Sequence, residues 1–290
     1  MQNQHLKNYK KINMRKILVT TDFSDKSKAG LFFAIQLAAQ NKCSLTFFNV
    51  HYIPPPTAWN TVRIEEYQKE QTIITQTKLK SFVEKIYAGL HIPAVNIKCV
   101  VKISVFPEAI IREYAEENKF DFICISTRGA GKMERILGTN TGNLINHSAI
   151  PVIAVPHKYK TTAITSILYA SDLAHFKKEI IKVVAFAKPL KAIIELLHLT
   201  SVLENSDNLK AIETAVKKIA AYHINFNVTN RNPNESLVTD IETAIKKRKP
   251  SMMIMFTEQN RSWFEKIFLS SKSAEYSFNT KVPLLVFNKS

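Results

Sequence analysis

The sequence predicts an α/β protein of two doubly wound, five-stranded parallel-sheet domains, because one unit of alternating strands and helices is written twice. The first copy opens with ILVTTDF at residues 17–23, and the second opens with ILYASDL at residues 167–173. Both copies close on an apolar run after a proline, at residues 151–155 and 283–287. An internal repeat of this kind decides the architecture before any single element is assigned.

The repeat places the predicted domains at residues 14–157 and 163–290, each long enough to bury a core of its own. Hydrophobic residues make up 46% and charged residues 22% of the 290, as in ordinary globular proteins. The three cysteines lie in apolar runs without CxxC spacing, which favours reduced core residues over disulfides or metal ligands. The first residues lack a signal-peptide pattern, and no run reaches the ~18 apolar residues that a membrane span needs. We therefore expect a cytoplasmic protein.

The formal net charge of +16 favours anionic ligands of some kind. The lysines are scattered along the chain, which is typical of a solvated surface. Nucleic-acid binding therefore rests on charge alone and is the weaker interpretation.

In the first copy, short apolar runs alternate with segments of helical spacing. Ser24 and Asp25 are a helix-start signal, and Pro107 suits the first position of a helix. The uninterrupted apolar run at 122–125 is typical of a strand covered on both faces. The predicted elements lie, in order, at residues 15–20, 29–38, 44–50, 62–88, 96–101, 109–118, 122–125, 140–148 and 151–155.

The second copy repeats this order. Its predicted elements lie at residues 166–170, 179–188, 192–199, 208–221, 225–229, 237–247, 252–256, 272–278 and 283–287. Strands that alternate with helices imply parallel sheets with right-handed crossovers. Ligands of such sheets bind beyond the carboxyl ends of the strands, where the strand order reverses. Thr21 and Asp22 follow the first strand and residues 126–138 follow the fourth, so both fall on that edge.

Residues 126–141 are the strongest candidate site. Gly129 permits positive φ and close approach of the backbone to a ligand. Gly138 and Thr139 precede a predicted helix, whose free N–H groups attract an anion. Thr141 adds a hydroxyl donor. The spacing is not that of a Walker A loop, and a turn with a glycine-assisted helix cap is the structural alternative.

Asp22 is the second candidate, because an acidic residue after a first strand can accept hydrogen bonds from a ribose or an adenine amine. Its structural alternative is a helix N-cap. Asp172 holds the same place in the second copy, where the matching stretch has no glycine. The eight histidines show neither metal-ligand spacing nor a nucleophile–base pair, so we predict no catalytic and no metal-binding residue. His51 follows the second predicted strand, where a loop role is favoured over a ligand role.

These residues resemble the universal stress protein family, in the tandem two-domain form found in Bacteroidetes. The resemblance is carried by residues 17–24, 122–131 and 138–141 and by the proline-apolar closing strands. In ATP-binding members the loop is G-x2-G-x9-G-[S/T]. Here Ser126 stands at the first glycine, Gly129 at the second and Gly138-Thr139 at the last pair. Eight residues rather than nine separate Gly129 from Gly138.

The resemblance implies an adenine nucleotide alpha hydrolase-like fold that binds ATP, with Mg²⁺, or another adenine nucleotide in the first domain. It places Thr21 and Asp22 near the base and ribose, with Val50 beside the adenine. The residues it places along the ribose and phosphates are Ser126, Gly129, Gly138, Thr139, Asn140 and Thr141. It also implies that the two closing strands pair, which makes the chain an intramolecular pseudo-dimer whose second domain holds no ligand.

The expected role is regulatory or protective, without significant turnover, so the protein is predicted not to be an enzyme. The alternative is a module of the same fold that binds another small anionic ligand, a protein partner or a second copy of itself. Slow ATP hydrolysis is a third interpretation, which the fold by itself does not support.

Overall fold

The structure, a computed structural model, describes residues 16–52, 54, 56, 58–127, 139–200, 206–256 and 281–287. The first half contains, in order, β1 Lys16–Thr20, α1 Lys28–Asn41, β2 Ser44–His51, α2 Thr61–Gly89, β3 Lys98–Ile103, α3 Pro107–Glu117, β4 Phe122–Thr127, α4 Thr139–His147 and β5 Val152–Pro156. The second half contains β6 Ser166–Ala170, α5 Phe176–Leu190, β7 Ile193–Thr200, α6 Ser206–Ala220, β8 Ile224–Asn230, α7 Leu237–Arg248, β9 Met252–Phe256 and β10 Leu284–Phe287. Each of these elements lies within a few residues of the prediction.

The strands form one ten-stranded sheet in the order β3-β2-β1-β4-β5-β10-β9-β6-β7-β8. Strands pair in parallel within each half, and β5 pairs with β10 in antiparallel fashion. The predicted pairing of the two closing strands is therefore confirmed. The predicted doubly wound, five-stranded sheets are confirmed, and each half has the strand order 3-2-1-4-5.

A local two-fold axis passes between β5 and β10. Leu285 lies opposite Ile153, while Leu284 lies opposite Ala154 and Val286 opposite Val152. Leu284 and Val152 hold equivalent places in their own sheets, since each pairs with the second residue of the preceding strand. The register is therefore symmetric, and the carboxyl ends of the parallel strands point in opposite directions in the two halves.

Local sequence explains where the elements begin and end. Pro107 occupies the first turn of α3, where its missing N–H costs nothing. Strand β3 begins at Lys98, two residues later than predicted, because Asn96 adopts a left-handed conformation with φ 52°. The predicted helix at 272–278 lies outside the described residues.

Helices cover both faces of the sheet. In the first half, α1 and α2 pack on one face, where Leu31 and Leu79 join a core that also includes Phe186 of α5. Helices α3 and α4 pack on the other face through Ile111 and Leu144. The chain leaves β1 toward one face and leaves β4 toward the other, so a crevice is expected beyond the ends of these neighbouring strands. None of the described helices combines the length and apolar character that crossing a membrane requires.

The core on the α1 face is continuous between the halves. Phe122 of β4 is 0% exposed and makes edge contacts with Phe186, at 5.6 Å between ring centroids, and with Phe287, at 6.3 Å. The segment that connects the halves also contacts the first half, because Gln40 Oε1 accepts a hydrogen bond from the Ile164 amide at 2.9 Å. The two halves therefore share buried surface beyond the β5–β10 pair.

We predict that Phe122→Ala destabilises the whole chain by about 3–5 kcal/mol, because it opens a cavity in a core that both halves share. Urea unfolding followed by circular dichroism should show one transition, shifted to lower urea. The control is Ile193→Ala, at a position that is 42% exposed, which should change stability by less than about 1 kcal/mol. Two separate transitions, with only one shifted, would contradict the shared core.

Candidate functional site

The candidate site lies at the carboxyl ends of β1 and β4, where the strand order of the first half reverses. Thr21 and Asp22 follow β1 directly, and α4 begins at Thr139 on the chain that leaves β4. Gly129 and Gly138 lie outside the described residues. The structure therefore describes the turn after β1 and the first turn of α4 at this edge of the sheet.

Thr21 organises the turn after β1. Its amide donates to the Phe48 carbonyl of β2 at 3.0 Å, and its hydroxyl lies 2.7 Å from the Ser27 hydroxyl. The same Thr21 oxygen accepts a hydrogen bond from the Phe23 amide at 3.1 Å. Thr21 is buried, so its side chain shapes the turn from within.

Asp22 is exposed at the tip of this turn. Its Oδ1 accepts hydrogen bonds from the Ser24 amide at 3.1 Å and the Ser24 hydroxyl at 2.6 Å. Ser24 in turn caps the short 3-10 turn before α1 by accepting from the Ser27 amide at 3.2 Å. Phe23 has a left-handed φ of 67°, which turns the chain sharply at this point. Ser24 is thus the N-cap, and Asp22 is held at the edge of the crevice.

Ser126 is 8% exposed and its side chain lies against the start of α1. Its hydroxyl donates to the Ser27 carbonyl at 2.8 Å and accepts from the Gly30 amide at 2.6 Å. A Cβ on Gly30 would lie 2.9 Å from the Ser126 Oγ, so only glycine leaves room for this contact. The serine at the first glycine position is therefore accommodated by a glycine on α1, which the sequence analysis did not single out.

Val50 lies on β2, next to β1. It packs on the α3 face of the sheet together with Phe48, whose ring stacks on Tyr114 at 4.7 Å. Val50 is half-buried, so part of its side chain remains accessible near the end of the strand.

Asn49 and His51 lie on the opposite face of β2, since successive side chains of a strand alternate. The Asn49 amide nitrogen donates to the Thr21 carbonyl at 2.8 Å, which clamps the turn to β2. The Asn49 Oδ1 and both ring nitrogens of His51 are buried, and none has a hydrogen-bond partner in the part of the chain that the structure describes. From the sequence, His51 is expected after the second strand with a loop role, and Asn49 carries no signal. His51 is in fact the last residue of β2, and nothing in the local pattern shows burial at the end of a strand.

Helix α4 places three of the predicted site residues in its first turn. It begins Thr139, Asn140, Thr141, and Thr141 is 3% exposed. The amide groups of a first helical turn have no intrahelical acceptor and attract anions.

The second half repeats the turn with different side chains. Leu173 has φ 66°, as Phe23 has 67°, and the Asp172 Oδ1 accepts from the Ala174 amide at 3.0 Å. A His198 ring nitrogen lies 3.0 Å from the Ser171 carbonyl, at the place where Asn49 meets Thr21. The two turns therefore share backbone geometry, while the clamping side chain is an amide in one and an imidazole in the other.

Large side chains lie toward the carboxyl ends of the strands in the second half. By register, Phe256 stands where Ser126 stands in the first half, and its ring stacks on Phe287 at 4.9 Å. The buried Tyr169 hydroxyl donates to the Glu179 carboxylate on α5. Burial and the neighbouring Glu179 raise the pKa of Tyr169 well above its ordinary value. The hydrogen bonds of Ser126 to α1 in the first half are replaced at this position by the stacking of Phe256 on Phe287.

Metal ligands do not cluster among the described residues, where no three His, Cys, Asp or Glu side chains could hold an ion together. The described part of the site offers the exposed Asp22 carboxylate, a helix N-terminus and the buried polar atoms of Asn49 and His51. This combination suits a ligand that carries both an anionic group and neutral hydrogen-bonding groups.

A sequence model of the universal stress protein family matches residues 13–156. The chain belongs to the universal stress protein family. The match covers the half that carries the candidate site, and the second half repeats the same fold. None of the curated proteins matched this sequence.

Solved structures share the fold of the whole chain. A universal stress protein from Archaeoglobus fulgidus DSM 4304 covers 96% of this chain and 97% of its own, with a TM-score of 0.66 and 16% identity. A functionally unknown protein from Pseudomonas aeruginosa PAO1 covers 96% and 93%, with a TM-score of 0.58 and 12% identity. A universal stress protein solved in complex with cAMP covers 52% of this chain and 99% of its own, with a TM-score of 0.37 and 18% identity.

We predict that Gly30→Ala destabilises the protein by about 1–3 kcal/mol, because the new Cβ overlaps the Ser126 hydroxyl and backbone. The measurement is the free energy of unfolding in urea. The matched control is Gly142→Ala in α4, where a Cβ meets no atom within 4 Å. That change should leave stability unchanged or raise it by up to about 1 kcal/mol, through helix propensity. Equal effects at both glycines would contradict the close contact.

We predict that His51 makes the protein less stable in mild acid. Burial lowers the pKa of His51 below the ordinary histidine value, because it disfavours the charged ring. The unfolded chain then binds the proton more readily, so stability is full above about pH 6.5 and falls as the pH drops below it. Urea unfolding at pH 7.5 and 5.5 should show a smaller loss for His51→Leu than for the wild type. His223→Leu, at an exposed position, should lose as much stability as the wild type.

Proposed function

We propose that this universal stress protein binds an adenine nucleotide, ATP with Mg²⁺ in the first instance, at the carboxyl edge of its first half. The protein then acts in the cytoplasm as a regulatory or protective binder without significant turnover. The observation that carries the proposal is the position of Asp22, whose carboxylate is exposed at the switch point between β1 and β4.

The chemistry of each group suits one part of the ligand. The Asp22 carboxylate accepts hydrogen bonds, which fits ribose hydroxyls. The first turn of α4, with Thr139, Asn140 and Thr141, presents amide donors to the phosphates. Gly129 and Gly138 enter this proposal on the sequence alone. Mg²⁺ would come with the phosphates, since the described residues provide no ligand cluster for it.

The residues beside the crevice are small in one half and large in the other. In the first half, Gly30 and Ser126 meet closely under the turn. In the second half, Phe256 is buried in a stack with Phe287. This difference supports a ligand in the first half and a structural role for the second. We accordingly propose domain boundaries at residues 14–157 and 163–290, with the second domain as a structural mate.

Binding without turnover agrees with the surroundings of Asp22. Its Oδ1 already accepts two hydrogen bonds from Ser24. These two hydrogen bonds fix the orientation of the carboxylate at the tip of the turn. Asp22 is therefore suited to hold a ligand rather than to activate a nucleophile.

We predict that ATP with Mg²⁺ binds the wild type in isothermal titration calorimetry with one site per chain. Asp22→Ala should weaken binding by about tenfold or more, since a hydrogen bond to a charged group contributes about 1.5–3 kcal/mol. The matched control is Asp172→Ala, which alters the equivalent turn of the second half and should leave the affinity unchanged. Gly138→Asp should abolish binding, because it brings a negative charge to the phosphates.

Three outcomes would contradict the proposal. No heat with ATP, or unchanged affinity in Gly138→Asp, removes the nucleotide site. Phosphate release above a protein-free blank that Asp22→Ala abolishes would show an enzyme instead. Native mass spectrometry of the purified protein supports the proposal if an adenine nucleotide is bound. A different anionic metabolite or a tightly held protein partner would favour another binding role for the same fold.

A further inference from the structure

Asn49 and His51 form a polar pair that the site described so far leaves unused. They lie two residues apart on one face of β2, at the end of the strand that adjoins the Thr21–Asp22 turn. Asn49 is 2% exposed. Three buried atoms of the pair, the Asn49 Oδ1 and the two His51 ring nitrogens, have no hydrogen-bond partner among the described residues.

The orientation of the Asn49 amide is fixed by its partner. A carbonyl oxygen only accepts, so the atom of Asn49 that lies 2.8 Å from the Thr21 carbonyl must be the amide nitrogen. The oxygen is then the end that lacks a partner, and it requires a donor. Buried polar groups are costly when they are left unpaired, so a donor on a bound ligand would stabilise this oxygen.

The His51 ring complements that oxygen. Burial disfavours the imidazolium, so the ring is neutral near pH 7 and offers one N–H donor and one lone pair. Together the pair presents an acceptor on Asn49 and both a donor and an acceptor on His51. The edge of a neutral heteroaromatic ring matches this pattern if the ring carries an amino group next to a ring nitrogen. An edge with a carbonyl in place of the amine would face the Asn49 oxygen with a second acceptor.

We propose that Asn49 and His51 read the exocyclic amine of the bound base, and so select an aminopurine over an oxopurine. This inference rests on the proposed function, because it assigns the base end of the same ligand. The Asn49 clamp ends on Thr21, the residue before Asp22, so the base contact and the ribose contact are set by one turn. Asn49 and His51 are the specificity-determining residues in this proposal.

The second half supplies the variant that tests Asn49. His198 clamps the equivalent turn through a ring nitrogen 3.0 Å from the Ser171 carbonyl. Asn49→His therefore keeps a donor for the Thr21 carbonyl and removes the amide oxygen. His51→Leu removes both ring nitrogens and replaces the imidazole with an apolar side chain of similar size.

The experiment measures the affinities of ATP and inosine triphosphate, which differ at the 6-position of the purine, an amine in one and a carbonyl in the other. The wild type is expected to prefer ATP. Asn49→His and His51→Leu should each weaken ATP binding about three- to tenfold, the range of one neutral hydrogen bond, with inosine triphosphate affected less than twofold. The controls His198→Asn and His223→Leu should keep the wild-type affinities. The ¹⁵N shifts of the His51 ring should change on addition of ATP.

The results distinguish a wrong assignment to Asn49 and His51 from the absence of a nucleotide site. If both variants keep the wild-type affinity and preference for ATP, the assignment to Asn49 and His51 is wrong, while the nucleotide site stands. If they weaken both nucleotides equally, the pair positions the turn and does not read the base. If the wild type binds neither nucleotide, both proposals fall. Unfolding midpoints of the variants within a few degrees of the wild type exclude loss of the fold as the cause.

Discussion

The antiparallel pairing of β5 with β10 is the contact on which the rest of the molecule depends. Without it, each half would end on an apolar edge strand with unpaired backbone groups, which invites association with other chains. With it, the two parallel sheets become one sheet with a symmetric register around Ile153 and Leu285. The same symmetry turns the carboxyl edges of the halves away from each other. One edge can therefore change its side chains without disturbing the site at the other.

The two halves carry different side chains at the carboxyl ends of their parallel strands. Ser126 lies beside Val155 in the first half, and the equivalent neighbours in the second half are Phe256 and Phe287. The two phenylalanines stack in the core, whereas Ser126 forms hydrogen bonds to the start of α1. Larger side chains add buried apolar area, so the second half gains apolar packing where the first half has a hydrogen-bonded serine. Because the core is shared, this packing also stabilises the half that carries the proposed site.

The repeat and its alternating elements were predictable, because apolar periodicity and turn residues are local properties of the chain. The pairing of the closing strands followed from the family resemblance and from two apolar runs that needed partners. The side-chain detail of the site was not predictable in the same way. Ser126 is predicted to lie along the ligand, and no local pattern reveals that its hydroxyl bonds to Gly30, a residue far away in sequence. The buried, unpartnered polar atoms of Asn49 and His51 were not predictable either, because burial at the end of a strand leaves no local sequence pattern.

Asn49 and His198 hold equivalent positions in the two halves, but only Asn49 brings a buried amide oxygen to its turn. The clamp between the second strand and the turn needs one donor, and the second half provides it with an imidazole. In the first half an amide performs the same task and brings an acceptor that the described residues do not satisfy. An unpaired buried acceptor costs about 1–3 kcal/mol, which the clamp alone does not require. A donor from a ligand would recover that free energy on binding. The folded protein would then be more stable with its ligand bound, because the ligand supplies the donor that the Asn49 oxygen lacks among the described residues.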